Sequence, residues 1–314
     1  MENTAFVFPG QGSQSVGMGA DLVQNFIAAR RVFEEASDTI QLDLLRLCTE
    51  GPAKELNRTE LTQAALLTTS MAVYRVLDSE TGWKPAFVAG HSLGEYSAVT
   101  AAGGFDLADA VSLVRKRGIF MQEAVPEGEG AMAAILGMEL ALLQKICEDV
   151  DGLVVPANLN CPGQIVISGE REAVQVASDR AKEAGAKRAL VLPVSVPSHS
   201  PLMEPVSKKL QEALDVTPME DLAVPLMNNV AAEEVRIAEA VREGLVRQLT
   251  STLRWEESIR AMLARGIEIF VEVGPGKVLS NLIRRIDRNV RVFNPADAEG
   301  LKNLLKEIPA GREV

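Results

Sequence analysis

An α/β fold with a mainly parallel sheet and a small inserted domain is the prediction for this 314-residue chain. Three observations carry it. Short apolar runs bounded by Gly, Pro or Asn alternate with longer stretches of helical periodicity. A β-α-β-β-α-β rhythm occurs once, complete, between 130 and 193. VAGHSLG at 88–94 joins a strand pattern to a helix pattern through a turn flanked by two glycines.

The large domain is expected to take its strands from 4–8, 86–89, 225–227, 267–273 and 290–293. Covering helices are expected over 64–77, 107–124, 234–249, 255–265 and 278–287, where apolar residues recur at three and four spacing. The inserted domain reads as ferredoxin-like, with strands at 131–136, 153–157, 164–168 and 188–192 and helices at 139–148 and 170–184. This predicts a large domain of residues 1–127 and 196–314 around a small one of 128–195. One more helix with a frayed end is expected after Ala296.

Composition removes several classes of function. With 32 Lys and Arg against 43 Asp and Glu the formal charge is −11, so a nucleic acid held by bulk electrostatics is not an expected partner. His91 and His199 are the only histidines, too few for the usual zinc or non-haem iron sites, and no metal is expected. Cys48, Cys147 and Cys161 show no C-x-x-C spacing, which points to a reducing cytosol. The N-terminus lacks a signal pattern and no apolar run approaches the ~18 residues of a membrane span, so a cytoplasmic protein is expected.

The segment around Ser92 carries the chemistry. In G-x-S-x-G the serine sits on a strained strand-to-helix turn, and a side chain at Gly90 or Gly94 would crowd it. A serine hydroxyl needs a base at neutral pH. His91 is adjacent, and consecutive side chains leaving a strand point to opposite faces, so it reads as a structural ring below the turn. His199, in the rigid Pro197-Ser198-His199-Ser200-Pro201 loop, is the expected base. No acid stands where an α/β-hydrolase would place one, so the imidazole is expected to lean on a backbone carbonyl or a side-chain amide. The loop Pro9-Gly10-Gln11-Gly12-Ser13-Gln14 lacks the lysine of a phosphate loop and suits an oxyanion hole, sharing the task with the Leu93 N–H. By residue type alone, Arg117 reads as one of several solvated charges on its helix.

GHSLGEYSA at 90–98, FPGQGSQ at 8–14, RKRGIFMQEA at 115–124, NCPGQIVISG at 160–169, VPSHSPLM at 196–203 and EVGPGKVL at 272–279 occur in one order. In these motifs the chain closely resembles the malonyl-CoA:acyl carrier protein transacylases of bacterial type II fatty acid synthesis. The resemblance implies a hydrolase-like α/β core with a ferredoxin-like subdomain, Ser92 as nucleophile and His199 as base. It implies Arg117 as the clamp on the free malonyl carboxylate, Gln11 and Leu93 as oxyanion donors, and the Gln248 carbonyl as the group that orients His199. Met121 and Ser198 fall at positions typical of a malonyl pocket. Malonyl-CoA and a holo carrier protein are the implied partners. No cofactor is implied, since the CoA thioester is a substrate. Neighbouring functions are a polyketide acyltransferase and a serine thioesterase or esterase. Both implied partners are anionic, so an acidic chain should gather positive charge near its site. Lys116, Lys187, Arg188, Lys277, Arg284 and Arg285 are expected to line that approach.

Overall fold

The computed structural model describes residues 3–126, 128–194 and 196–308. β1 (Thr4–Phe8) is buried along its whole length, as a central parallel strand must be. Four helices follow, α1 (Ala20–Asn25), α2 (Ile27–Ile40), α3 (Leu44–Glu50) and α4 (Ala53–Leu56), then α5 (Thr59–Thr81), β2 (Phe87–Gly90), α6 (Leu93–Ala101) and α7 (Leu107–Ala124). The small sheet comprises β3 (Gly130–Leu136), β4 (Val154–Cys161), β5 (Gln164–Glu170) and β6 (Arg188–Val191), with helices α8 (Leu140–Glu148) and α9 (Arg171–Glu183). A 3₁₀ turn, Pro201–Met203, leads into α10 (Glu204–Asp215), β7 (Leu226–Met227), β8 (Glu234–Val235), α11 (Ala238–Gln248), α12 (Trp255–Ala264), β9 (Ile269–Glu272), α13 (Val278–Ile286), β10 (Arg291–Phe293) and α14 (Ala298–Glu307).

The large sheet has the order β10-β9-β1-β2-β7-β8 and is parallel except for β8, which returns antiparallel along β7. Its pleat sorts the core into two halves. Phe6, Phe8, Val88 and Val271 pack towards α2, α5 and α7, while Ala5, Val7, Ala89 and Phe270 pack towards α12 and α13. The small sheet is antiparallel in the order β4-β5-β3-β6, with α8 and α9 on one face. Its other face presents Met132, Ala134, Ala157 and Val166, and Met132 lines the cavity described below. Pairing of Leu159 N–H with the Leu253 carbonyl, at 2.9 Å, and of Leu253 N–H with the Ala157 carbonyl, at 2.8 Å, ties β4 to the chain just past α11. The expected domain borders fall at Glu127 and Ser195, which lie outside the described residues, as does the chain after Ile308.

Two expectations need correction. The helix expected over 234–249 begins only at Ala238, because Glu234 and Val235 pair with Met227 and Leu226 as an edge strand. Val235 continues the apolar spacing of the helix, so periodicity alone does not separate them. The helix expected over 64–77 runs from Thr59 to Thr81, extended before its apolar stretch by the buried Thr59, Thr62 and Gln63 and after it by residues 78–81, none of them buried. Buried polar residues are tolerated where a hydroxyl bonds back to its own helix, as Thr69 does to the Ala65 carbonyl at 2.8 Å. Among the described residues no helix is long and apolar enough to cross a membrane.

The approach of α6 to β1 and β2 depends on missing side chains. A Cβ on Gly90 would stand 1.9 Å from the Gly94 carbonyl carbon, and one on Gly94 would stand 2.0 Å from the Phe8 carbonyl oxygen. Both neighbours are backbone, so nothing can rotate away. Gly94→Ala should lower stability by at least the ~1–3 kcal/mol of an overpacked core. An unchanged urea midpoint would show that the two strands and the helix are not held this closely.

Candidate active site

β1, β2 and β7 point the same way, and their carboxyl ends deliver the Gln11 loop, Ser92 and Asn229 to one edge of the sheet, where open α/β sheets collect ligands. Ser92 stands between β2 and α6 at φ 52° and ψ −109°. Its N–H donates to Asn229 Oδ1 at 2.9 Å, and Asn229 Nδ2 donates to the Gly90 carbonyl at 2.6 Å, so the turn is clamped on both sides. His199 also takes a positive φ, 61°. Ser200 Oγ, donating to the Pro197 carbonyl at 2.7 Å, stiffens its loop. Conformations of this kind cost ~1–3 kcal/mol each and persist only where surrounding contacts enforce them. These two strained residues face each other, with Ser92 Oγ 2.9 Å from His199 Nε2.

The imidazole is held from behind. His199 Nδ1 lies 2.8 Å from the Gln248 carbonyl oxygen. A carbonyl only accepts, so Nδ1 carries the proton and Nε2 is left bare towards the serine hydroxyl. Burial, with a smaller contribution from the charge of Arg117, lowers the His199 pKa from 6.5 to about 3, against the opposing bond to Gln248. The ring is therefore neutral and able to accept a proton throughout the physiological range. Its proton affinity is weaker folded than unfolded, so it contributes stability that is present above 6.5 and lost as pH falls towards about 3. Single-turnover acylation of Ser92 should show no inflection at 6.5 and should fall only at markedly lower pH. A clear titration at the ordinary histidine value would mean that His199 is not the base.

Arg117 is not a solvated charge. It is 1% exposed, on the inner face of α7. Nη1 donates to Gln63 Oε1 at 2.8 Å, and Nη2 donates to Gln248 Oε1 at 3.0 Å and reaches Ser92 Oγ at 3.4 Å. The guanidinium carbon lies 5.3 Å from the centre of the Tyr96 ring. Its Nε–H has no acceptor in hydrogen-bonding geometry, and among the described residues no carboxylate pairs with it. A buried cation whose nearest linked carboxylate, Glu95, reaches it only through the Gln248 amide is costly, and an anion entering beside Ser92 would relieve that cost.

A cavity of about 110 Å³ opens at this point, room for a short acyl group. Ser92, His199, Arg117, Gln11, Leu93, Met121 and Ser198 all line it. Among the described residues the backbone N–H groups of Gln11 and Leu93 donate to no protein acceptor, which leaves both able to serve an oxyanion. Met121 is fixed by Gln63, whose Nε2 lies 3.3 Å from its sulfur. His91 also borders the cavity, but its ring is engaged by Asn160 and Trp255, with Nε2 2.9 Å from Asn160 Oδ1 and the ring edge-on to Trp255 at 5.5 Å.

A hydroxyl, an aligned neutral imidazole, two free N–H groups and a buried guanidinium together suit acyl transfer with an anionic acyl group, and relatives agree. Residues 5–301 match the acyl transferase domain family. The malonyl CoA-acyl carrier protein transacylase of Bacillus subtilis (strain 168) is 50% identical over 305 residues, 96% of either chain. The chain belongs to the malonyl CoA-acyl carrier protein transacylase family. The Escherichia coli (strain K12) transacylase is 53% identical over 288 residues, 91% of this chain and 93% of its own. The Coxiella burnetii transacylase structure superposes with a TM-score of 0.95 at 43% identity, covering 97% of both chains. A malonyl-transacylase solved in complex with its type II PKS acyl-carrier protein gives 0.95 at 45% identity, over 97% of this chain and 99% of that one.

In this transacylase the six exposed basic residues do not line the cavity. Leu192 pairs with Met132 at the cavity, but Arg188 pairs with Leu136, four residues further along β3 and roughly 13 Å away. Lys187 and Arg188 thus stand at the far end of the small sheet. Arg285 joins that end by donating to Gln164 Oε1, and Arg284 donates to the Val292 carbonyl at 2.9 Å. Lys116 lies one residue, and so about 100° of helix, from buried Arg117. Lys277 follows Gly276, where a Cβ would meet the Ser13 carbonyl at 3.2 Å, which places it beside the loop that carries Gln11.

Four polar residues at the site escaped the sequence reading. Gln63 is a lone amide in the buried middle of α5, Glu95 and Tyr96 follow the serine on α6, and Asn229 closes β7. A buried amide or acid amid apolar helix residues was the available signal, but polarity in a helix reads first as exposure.

Proposed function

We propose that this acyltransferase moves a malonyl group from malonyl-CoA to the phosphopantetheine thiol of an acyl carrier protein, through an ester on Ser92. The observation that carries the reading is the buried Arg117 guanidinium 3.4 Å from the nucleophilic hydroxyl, itself 2.9 Å from a neutral imidazole. The far carboxylate of a malonyl ester lies two bonds from the ester carbon, close enough to meet Arg117 without leaving the cavity.

His199 Nε2 takes the proton as Ser92 Oγ bonds to the thioester carbonyl carbon. Negative charge then gathers on the carbonyl oxygen, where the Gln11 and Leu93 N–H groups donate to it. The C–S bond breaks, the CoA sulfur takes the proton from His199, and malonyl-Ser92 remains. The carrier thiol next gives its proton to His199 and attacks the ester, and Ser92 recovers the proton. The two half-reactions share one site, which makes the kinetics ping-pong.

Water could resolve the same ester, which is the esterase reading. Intact-mass spectrometry after brief exposure to malonyl-CoA tests it. The expected result is one malonyl adduct, discharged faster by holo carrier protein than by buffer. Immediate loss to buffer would make the chain a hydrolase. The relative solved with a polyketide carrier makes the choice of acceptor a second question, answered by comparing discharge by fatty-acid and polyketide carriers.

A further inference from the structure

Gln248 is used three times over. Its carbonyl holds His199, its side-chain Oε1 accepts from Arg117 at 3.0 Å, and its Nε2 donates both to the Ser92 carbonyl, at 3.0 Å, and to Glu95 Oε2. The other Glu95 oxygen accepts from the Asn229 N–H at 2.9 Å. Two donors thus converge on a side chain that is only 1% exposed, and a carboxylate is the group that offers each an acceptor.

The amide of Gln248 has two orientations that differ only by exchanging oxygen and nitrogen. Flipped, it would turn its NH₂ on the Arg117 guanidinium, donor against donor, and take its oxygen to the Glu95 carboxylate, acceptor against acceptor. Glu95 and the Ser92 carbonyl therefore decide which face Arg117 meets. Burial pushes the Glu95 carboxyl up to about 7, against the bonds from Gln248 and Asn229 and the charge of Arg117. A side chain needed only to fill this space would be better apolar.

We propose that Glu95 is a positioning residue for acyl selection: by locking the Gln248 amide it aims Arg117 at the carboxylate of the incoming acyl group. The inference rests on the reading that Arg117 binds that carboxylate. Glu95→Gln replaces one acceptor with a donor, and the Gln248 amide relieves the clash by flipping towards the guanidinium. The malonyl preference over acetyl should then fall about tenfold, through a raised KM for malonyl-CoA, less than the ~10²-fold that a full ångström of misplacement can cost. A merely structural role would lower both acylations together and leave their ratio alone.

The test is a double-mutant cycle on the malonyl-to-acetyl ratio of Ser92 acylation, with Glu95→Gln, Gln248→Ala and the double variant, and with Arg117→Ala alongside. Gln248→Ala keeps the carbonyl on His199 but removes the amide, so it too should lose preference, and Glu95→Gln should add nothing to it. If Glu95→Gln does not fold, Gln248→Ala alone decides, and undiminished preference there overturns the proposal. Additive losses, or a preference retained in Glu95→Gln but lost in Arg117→Ala, overturn it while leaving the carboxylate reading intact. Undiminished preference in Arg117→Ala would sink that reading itself.

Discussion

Ser92→Ala should form no acyl adduct and should lose transfer activity by at least ~10⁴-fold, the scale on which removal of a catalytic nucleophile is felt. The substitution is expected to be clean. Alanine keeps the Cβ and sits at the same backbone angles, and the N–H that clamps the turn to Asn229 is unaffected. What disappears is the oxygen 2.9 Å from His199 Nε2. The remaining N–H groups and Arg117 would still bind the thioester, so KM for malonyl-CoA should move far less than kcat. A variant that retained a tenth of the wild-type rate would show that the acyl group passes directly between thiols, and the ester intermediate would have to be abandoned.

Arg117→Ala should cost malonyl loading one to two decades relative to acetyl. A hydrogen bond to a charged group contributes ~1.5–3 kcal/mol, and each ~1.4 kcal/mol is tenfold. Direct competition between malonyl- and acetyl-CoA, read as the ratio of the two adducts on Ser92, measures it. Arg117→Lys should not restore the ratio, since an ammonium cannot donate to Gln63, to Gln248 and to two carboxylate oxygens at once from a planar fork. Equal loss for both acyl groups would assign Arg117 to the fold. Equal loss is a real alternative, because the guanidinium bridges α5 and α11, and removing it leaves two buried amide oxygens without a donor.

Much of the fold was legible from local pattern. β1 and α7 run over the residues where a short apolar run and helical spacing put them, and the small antiparallel sheet with α8 and α9 follows the β-α-β-β-α-β order. The region before α5 was not assigned, although α2 carries Ala29, Val32, Phe33, Ala36 and Ile40 at helical spacing. β4 runs on to Cys161, past the expected end at 157, because its register shifts twice and breaks the alternation that marks a strand. Local signals fail where hydrogen bonds to the same chain replace apolar contacts, as where Thr62 bonds the Leu56 carbonyl and Thr81 the Leu77 carbonyl near the ends of α5.

The nucleophile elbow was legible for a physical reason: a turn that brings backbone within 2.0 Å of where a Cβ would be leaves glycine at both flanks, whatever the rest of the chain does. Arg117 was different. Its burial depends on Gln63, 54 residues away, and on Gln248, 131 residues away, which only the packing of α5 and α11 against α7 brings together. The same holds for Asn229, which clamps Ser92 across 137 residues, and for the amide of Gln248, which reaches it across 156. The sequence by itself determined most of the strands and covering helices, their order and the strained serine, because each depends on neighbours within a few residues. The tertiary structure alone decided that a cation lies buried beside that serine, bonded to two glutamine amide oxygens, because desolvation and hydrogen-bond direction exist only once distant segments have closed over one another.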